Sequence, residues 1–209
     1  MSKSVESENK SLAPARFYAY FKGVSIELDE VRAALAALDS PAEAPAGKNA
    51  SVAGIFVPDP LRLLFIRRAQ HDGDPWSGHM AFPGGRHDPG DVDLMATALR
   101  ETREEIGVEL DDAEFLGALP DVQARPRFEL TIRPHFFALE HVPSLTPNHE
   151  VAEVHFAEVG PLFRGERDAV RPWKVEGRAV DFPAYEVEGR LVWGLTYLMV
   201  RRLFVALQR

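Results

Sequence analysis

The sequence predicts an α+β domain, layered α/β/α, with one central helix set among strands. Three observations carry this expectation. Strand-like runs at residues 52–57 and 61–66 flank a Pro-Asp-Pro turn, a helical pattern occupies residues 92–106, and further strand-like runs follow it. The chain has 209 residues, of which 45% are hydrophobic, enough for one domain core with a short extra element at one end.

Taken in order, residues 1–12 are rich in Ser, Lys, Glu and Asn and read as a disordered tail. Phe17 and Phe21 bound an aromatic stretch expected to pack on the domain. Residues 13–50 then read as an N-terminal helix and linker. Val31, Leu35 and Leu38 recur at helical spacing over residues 29–38, and Pro, Ala and Gly dominate residues 40–49. The main domain is expected over residues 51–209. A polar loop covers residues 69–78 and a short strand at 79–82 enters Pro83-Gly84-Gly85. The central helix should start after Asp91 as N-cap and stop at Gly107. Strands are expected at 114–119, 132–139, 152–156, 170–175 and 178–187, with a short helix at 159–163 and a closing helix at 193–207. On that last helix Trp193, Met199, Leu203 and Leu207 form an apolar stripe that reads as core.

Composition excludes several functions. Net charge is −8, which argues against a nucleic-acid-binding surface. With no cysteine, disulfides, thiol nucleophiles and thiolate-bound zinc are ruled out. The N-terminus has no apolar run of the signal-peptide kind, and the apolar stretch 191–200 is too short to span a bilayer. These features lead us to expect a soluble, cytoplasmic protein. No Walker-type phosphate loop is present, which argues against a P-loop ATPase.

The chemistry concentrates in Arg100-Glu101-Thr102-Arg103-Glu104-Glu105-Ile106-Gly107-Val108. At 3.6 residues per turn, Glu101, Glu104 and Glu105 share an arc of about 100°. Leu94, Met95, Ala98, Leu99 and Ile106 make the apolar stripe, and Glu105 falls inside its edge. Three like charges in the last turns of a helix repel one another and oppose its dipole. A divalent cation would relieve both costs, and Mg²⁺ prefers such hard oxygen ligands. A plain solvated acidic face is the competing reading. It is weakened by the glycine pair Gly84-Gly85, which permits close approach to phosphate or metal, and by Arg100, four residues before Glu104 and able to orient it.

The run from Gly85 to Val108 resembles the Nudix box: a glycine, a spaced acid, then Arg-Glu-x-x-Glu-Glu-x-Gly and an aliphatic residue. The resemblance implies a Nudix-type α/β/α sandwich with a mixed sheet and a central catalytic helix. It implies that Glu101, Glu104 and Glu105, with Gly85, bind Mg²⁺ or Mn²⁺, and that Arg100 holds the glutamates. One of these glutamates, or an acid outside the box, would be the general base. The box here is one residue longer than usual, because Asp91 stands six residues after Gly85 but nine before Arg100. Asp91 is therefore expected to cap the helix.

Other segments resemble the coenzyme A pyrophosphatase-like branch of that family. They are Ala81-Phe82-Pro83-Gly84-Gly85, Gly117-Ala118-Leu119-Pro120-Asp121, the Pro147-to-Val154 segment and Trp193-Gly194-Leu195-Thr196. The implied activity is metal-dependent hydrolysis of a diphosphate bond in a nucleoside diphosphate derivative, with coenzyme A or acyl-CoA as one case. ADP-ribose, NADH or nucleoside triphosphates are alternatives, as is a non-catalytic binding module. The stretch 74–80 carries Gly78 of the branch's upstream marker but lacks its arginine, histidine and glutamine.

Candidate substrate contacts are Arg67, Arg86 and Arg127, with Arg68, Arg125 and Arg133 nearby in sequence, since arginine forks suit phosphate oxygens. Trp76 could stack on a base or pin its loop to the core. Glu150 could be the acid outside the box or a turn residue. His71, His79 and His87 lack the regular pairing of a zinc site and are expected to be structural or to contact phosphate. The first helix and linker are candidate homodimer contacts.

Overall fold

The computed structural model describes residues 23–39, 43–74, 76–124, 129–175 and 178–208. The expectations for residues 1–12 and 17–21, and for Arg125 and Arg127, lie outside them. The chain forms α1 (Leu28–Ala36), β1 (Lys48–Val57), β2 (Arg62–Arg68), β3 (Met80–Ala81) and β4 (Gly84–Arg86). Next come α2 (Leu94–Ile106), β5 (Glu114–Ala118), β6 (Val122–Gln123), β7 (Leu130–Ala138) and β8 (Val151–Glu158). The chain closes with α3 (Val159–Phe163), β9 (Asp168–Val175), β10 (Arg178–Val187), β11 (Arg190–Trp193) and α4 (Gly194–Ala206).

The main sheet runs β3-β2-β1-β7-β5, with β4 on β1, β6 on β7 and β8 on β2. Only the β1–β7 pair is parallel among these ladders, so the sheet is mixed. Both faces are covered. Alternate residues of β2 divide between two cores: Leu63 and Phe65 join Val31, Leu35 and Phe204 on one side. Leu64 and Ile66 join Ala98 and Ile106 of α2 on the other. Burial on both faces explains why β2 and the second half of β1 read as apolar runs rather than as alternating ones, while β7 buries Thr131, Arg133 and His135 among its apolar residues. Among the described residues no helix is long and apolar enough to cross a membrane.

A second sheet, β11-β10-β9, is antiparallel and packs with α4. Its junction with the main sheet combines apolar packing, with Tyr185, Val187 and Val192 in the first core, and an ionic cluster. Glu153 on β8 accepts from Arg67 of β2 at 2.7 Å, Arg190 of β11 at 2.8 Å and His155 at 2.9 Å. These donors, Arg67 foremost, hold the Glu153 carboxyl far below the usual range.

Several expected boundaries move. β1 starts at Lys48, within the stretch read as linker, because its parallel ladder with β7 begins there. β4, β6 and β11 were not expected. Each is four residues or fewer, too short to show a period. The central helix begins at Leu94, and its N-cap is Asp93, whose carboxylate accepts from Ala96 N at 2.7 Å. The expected Asp91 cap is thereby corrected. Val92 lies outside the helix and is almost fully exposed.

Candidate active site

Gly84 and Gly85 reach the end of α2 along β4, which pairs with the start of β1. Gly84 has φ 149°, and a Cβ there would collide with the Ser51 carbonyl and Val52. A Cβ on Gly85 would overlap the Glu101 carboxyl. Glycine is therefore required at Gly84, and a side chain at Gly85 would push the Glu101 carboxyl out of its place. That same C-terminal end of α2 stops at Gly107, φ 71°, whose N–H bonds Arg103 O at 2.9 Å.

Arg100 gathers the acids. Its Nε and Nη2 donate to Asp91 at 2.8 and 2.9 Å. Nη1 donates to Glu101 at 3.0 Å and to Glu104 at 3.1 Å, and Nη2 also reaches the Arg86 carbonyl at 3.2 Å. This is a bidentate fork on Asp91 with a shared donor for two glutamates. The Arg100 guanidinium holds the Asp91 carboxyl well below the usual carboxylate range. Asp91, two residues ahead of the helix cap, thus anchors Arg100 and leaves the capping to Asp93.

The glutamates differ in environment. Glu104 is half exposed at 51%. Glu101 is more enclosed, and burial raises its carboxyl above the ordinary value. Glu105 is 2% exposed, and burial pushes it up to about 8. Its Oε2 accepts from Gly84 N at 2.9 Å, and the nearest guanidinium, Arg68, stands 3.8 Å from Oε1. After burial, the negative charge of Glu150 contributes to raising both Glu101 and Glu105, so Glu150 lies near enough to act on both. The turn around Glu150 is closed by Asn148, whose side chain accepts from Glu150 N at 2.8 Å.

Among the described residues no three His, Asp or Glu side chains are already gathered as a metal-ligand set. Their chemistry nonetheless fits a hard divalent cation. Glu105 is a buried acid with its guanidinium partner no nearer than 3.8 Å, Glu101 is enclosed, and Glu150 adds repulsion. A cation would offset these costs beyond what the Arg100 and Gly84 hydrogen bonds supply.

The remaining sequence candidates scatter. Arg67 is committed to Glu153, and Arg133, nearly buried, to Asp121 at 2.8 Å. Arg86 is exposed beside the glycine turn. Trp76 is partly buried and packs on the first core, the anchoring alternative. His87 bonds Thr97 Oγ1 at 2.9 Å, His71 meets His149 edge-on, and His79 lies against Trp193. Two features escaped the sequence reading. The Arg68–Glu105 approach joins residues on different elements, with no local spacing to show it. The Asp91–Arg100 pair was signalled by the position of Asp91 six residues after Gly85, where the box has its spaced acid.

Comparison with known proteins agrees with this geometry. Residues 47–175 match the NUDIX domain. An uncharacterized Nudix hydrolase NudL of Yersinia enterocolitica is 29% identical over 178 residues, covering 79% of this chain and 86% of its own length. The Enterobacter NudL is 32% identical over 150 residues, covering 68% of this chain and 72% of its own. Mitochondrial coenzyme A diphosphatase NUDT8 of Mus musculus is 31% identical over 137 residues, covering 64% of this chain and 65% of its own. Nudix hydrolases generally use divalent metals and act on small nucleotide-type substrates. With the domain match spanning more than half of the chain and enclosing the acidic helix, this protein belongs to the Nudix hydrolase family.

Proposed function

We propose that the protein hydrolyses a diphosphate bond in a nucleoside diphosphate derivative with Mg²⁺ or Mn²⁺, and that coenzyme A or acyl-CoA is within its substrate range. The observation that carries this reading is the Arg100 fork, which aligns Glu101 and Glu104 beside buried Glu105 and the glycine turn. The mouse relative's name, a coenzyme A diphosphatase, supports the substrate assignment. The departures at residues 74–80 favour the broader class, including ADP-ribose and NADH, as the second reading.

Glu101, Glu104 and Glu105 would hold the cation, which when bound neutralises phosphate oxygens and makes a water more acidic. Arg100 keeps the glutamates from splaying apart. Gly84 and Gly85 leave the turn without side chains, so a phosphate chain can lie along it. Burial at Glu105 lets its carboxyl keep a proton at neutral pH while no cation is near. The proton released by water as it attacks phosphorus passes to a carboxylate of this set or to Glu150. Exposed Arg86 stands at the edge of the turn and would steady the far phosphate.

The test is a panel of coenzyme A, ADP-ribose, NADH and diadenosine compounds with Mg²⁺, with products resolved by chromatography. Coenzyme A should give 3′,5′-ADP and phosphopantetheine, EDTA should abolish the reaction, and Mg²⁺ or Mn²⁺ should restore it. Full activity in metal-free protein would refute the reading.

A further inference from the structure

The second sheet carries an aromatic face that the acidic helix does not use. Register places Trp173 opposite Val180, Arg171 opposite Phe182 and Trp193 opposite Ala184. Residues two apart along a strand share a face, so Arg171, Trp173, Val180, Phe182 and Trp193 stand together. Ring centroids of Trp173 and Trp193 are 5.4 Å apart, and those of Phe182 and Trp193 are 5.9 Å apart. The Arg171 guanidinium lies 5.5 Å from each indole. Trp173 is 41% exposed and Val180 38%. Among the described residues no carboxylate pairs with Arg171, and its Nε is buried without a hydrogen-bond partner. An open indole beside a guanidinium that no carboxylate neutralises leaves a stacking surface and anion donors side by side.

This face adjoins the candidate active site. Trp193 packs on His79 at 4.8 Å, and the Arg171 charge helps to depress His79, after burial. The His79 carbonyl accepts from Arg68 N at 3.0 Å, and Arg68 is the guanidinium nearest Glu105. From His79 to Gly84 the chain can span at most about 18 Å. An extended nucleotide derivative can bridge such a gap.

We propose that Trp173 and Arg171 form a nucleotide-binding subsite. The exposed indole stacks on the base, and the free guanidinium donors take a phosphate oxygen of the same nucleotide. The proposal rests on the diphosphate-hydrolysis reading for its placement. A base-plus-phosphate ligand is the occupant that uses both the ring and the charge. A second copy of this chain would bring another unpaired Arg171 to the same patch.

The test titrates the full chain with ADP, adenosine and inorganic diphosphate in Mg²⁺, by calorimetry and by tryptophan quenching. Trp173→Ala should weaken ADP and adenosine by about tenfold, the scale of one base–aromatic stack. Trp173→Phe should recover part of that loss, which a misfolded variant would not. Arg171→Gln should weaken ADP about tenfold and adenosine less than twofold. In both variants the loss for ADP should exceed that for inorganic diphosphate. Unchanged ADP affinity in both variants overturns the subsite, and hydrolysis by the wild type would then still support the catalytic reading. Weakened ADP binding in a protein that cleaves none of the panel keeps the subsite and ends the catalytic reading. A wild-type dimer that Trp173→Ala converts to monomer would assign the face to self-association and overturn the proposal.

Discussion

Glu105 is a carboxyl group facing a core. It accepts one backbone hydrogen bond, from Gly84, and has one distant guanidinium, and burial carries its pKa to about 8. A buried acid in that state is costly unless it serves a ligand. We predict that Glu105→Gln and Glu104→Gln each lower kcat/KM by on the order of 10²–10³, the scale of several kcal/mol of lost charge stabilisation. Near-UV circular dichroism should stay native in both. Wild-type turnover in both variants would contradict the metal-site assignment. Arg100 acts through the acids rather than on the substrate. Lysine cannot reproduce a fork that serves Asp91, Glu101 and Glu104 together. Arg100→Lys should therefore weaken Mg²⁺ activation by about 10–100-fold, the usual cost of losing a residue that orients ligands. A metal titration with the same midpoint as wild type would remove Arg100 from this role.

On β7, His135 shows how an element buried on both faces handles a titratable group. Its Nδ1 lies 2.9 Å from Ser51 Oγ, and burial, aided by the Arg133 charge, lowers its pKa to about 4. The folded state therefore binds its proton less readily than the unfolded chain does. The associated stability is intact above about pH 6.5 and is lost as pH falls toward 4. A shift of this size corresponds to at most ~3.5 kcal/mol. Urea unfolding at pH 7 and pH 4 should show wild type losing more stability than His135→Gln, by up to that amount. Equal losses would mean that His135 is not buried neutral. Element scale is also where sequence reading succeeds and stops. The stripe on α2 and the helix-ending Gly107 are visible because helical periodicity and a left-handed cap are local signals. β11 is hidden because Leu191, Val192 and Trp193 merge with the apolar start of α4, and only the φ of 65° at Gly194, the first residue of α4, marks the change. Asp91 and Asp93 are both good caps by residue type. The side-chain packing of Arg100 decides between them, and it is not local.

For the whole molecule, the mixed sheet divides the labour. One core locks α1 and α4 to the first face, and the second, smaller core sits under α2 and carries the acids. The acids repel one another at the edge of the smaller core, so the metal-free protein should be weakest there. A cation that binds only the folded chain adds stability as RT ln(1 + [L]/Kd), about 2.7 kcal/mol at a hundredfold excess over Kd. For a chain of this size that is a rise in Tm of roughly 5–10 °C. We expect Mg²⁺ to produce such a rise in wild type by scanning calorimetry and almost none in Glu101→Gln/Glu105→Gln. That double variant replaces the two most enclosed acids by neutral amides and should itself melt no lower than metal-free wild type, since burying those acids is costly to the fold. An equal Mg²⁺ shift in both proteins would place the stabilising ion elsewhere. The acids of α2 would then be a charged helix surface, and the hydrolytic reading would lose its physical basis.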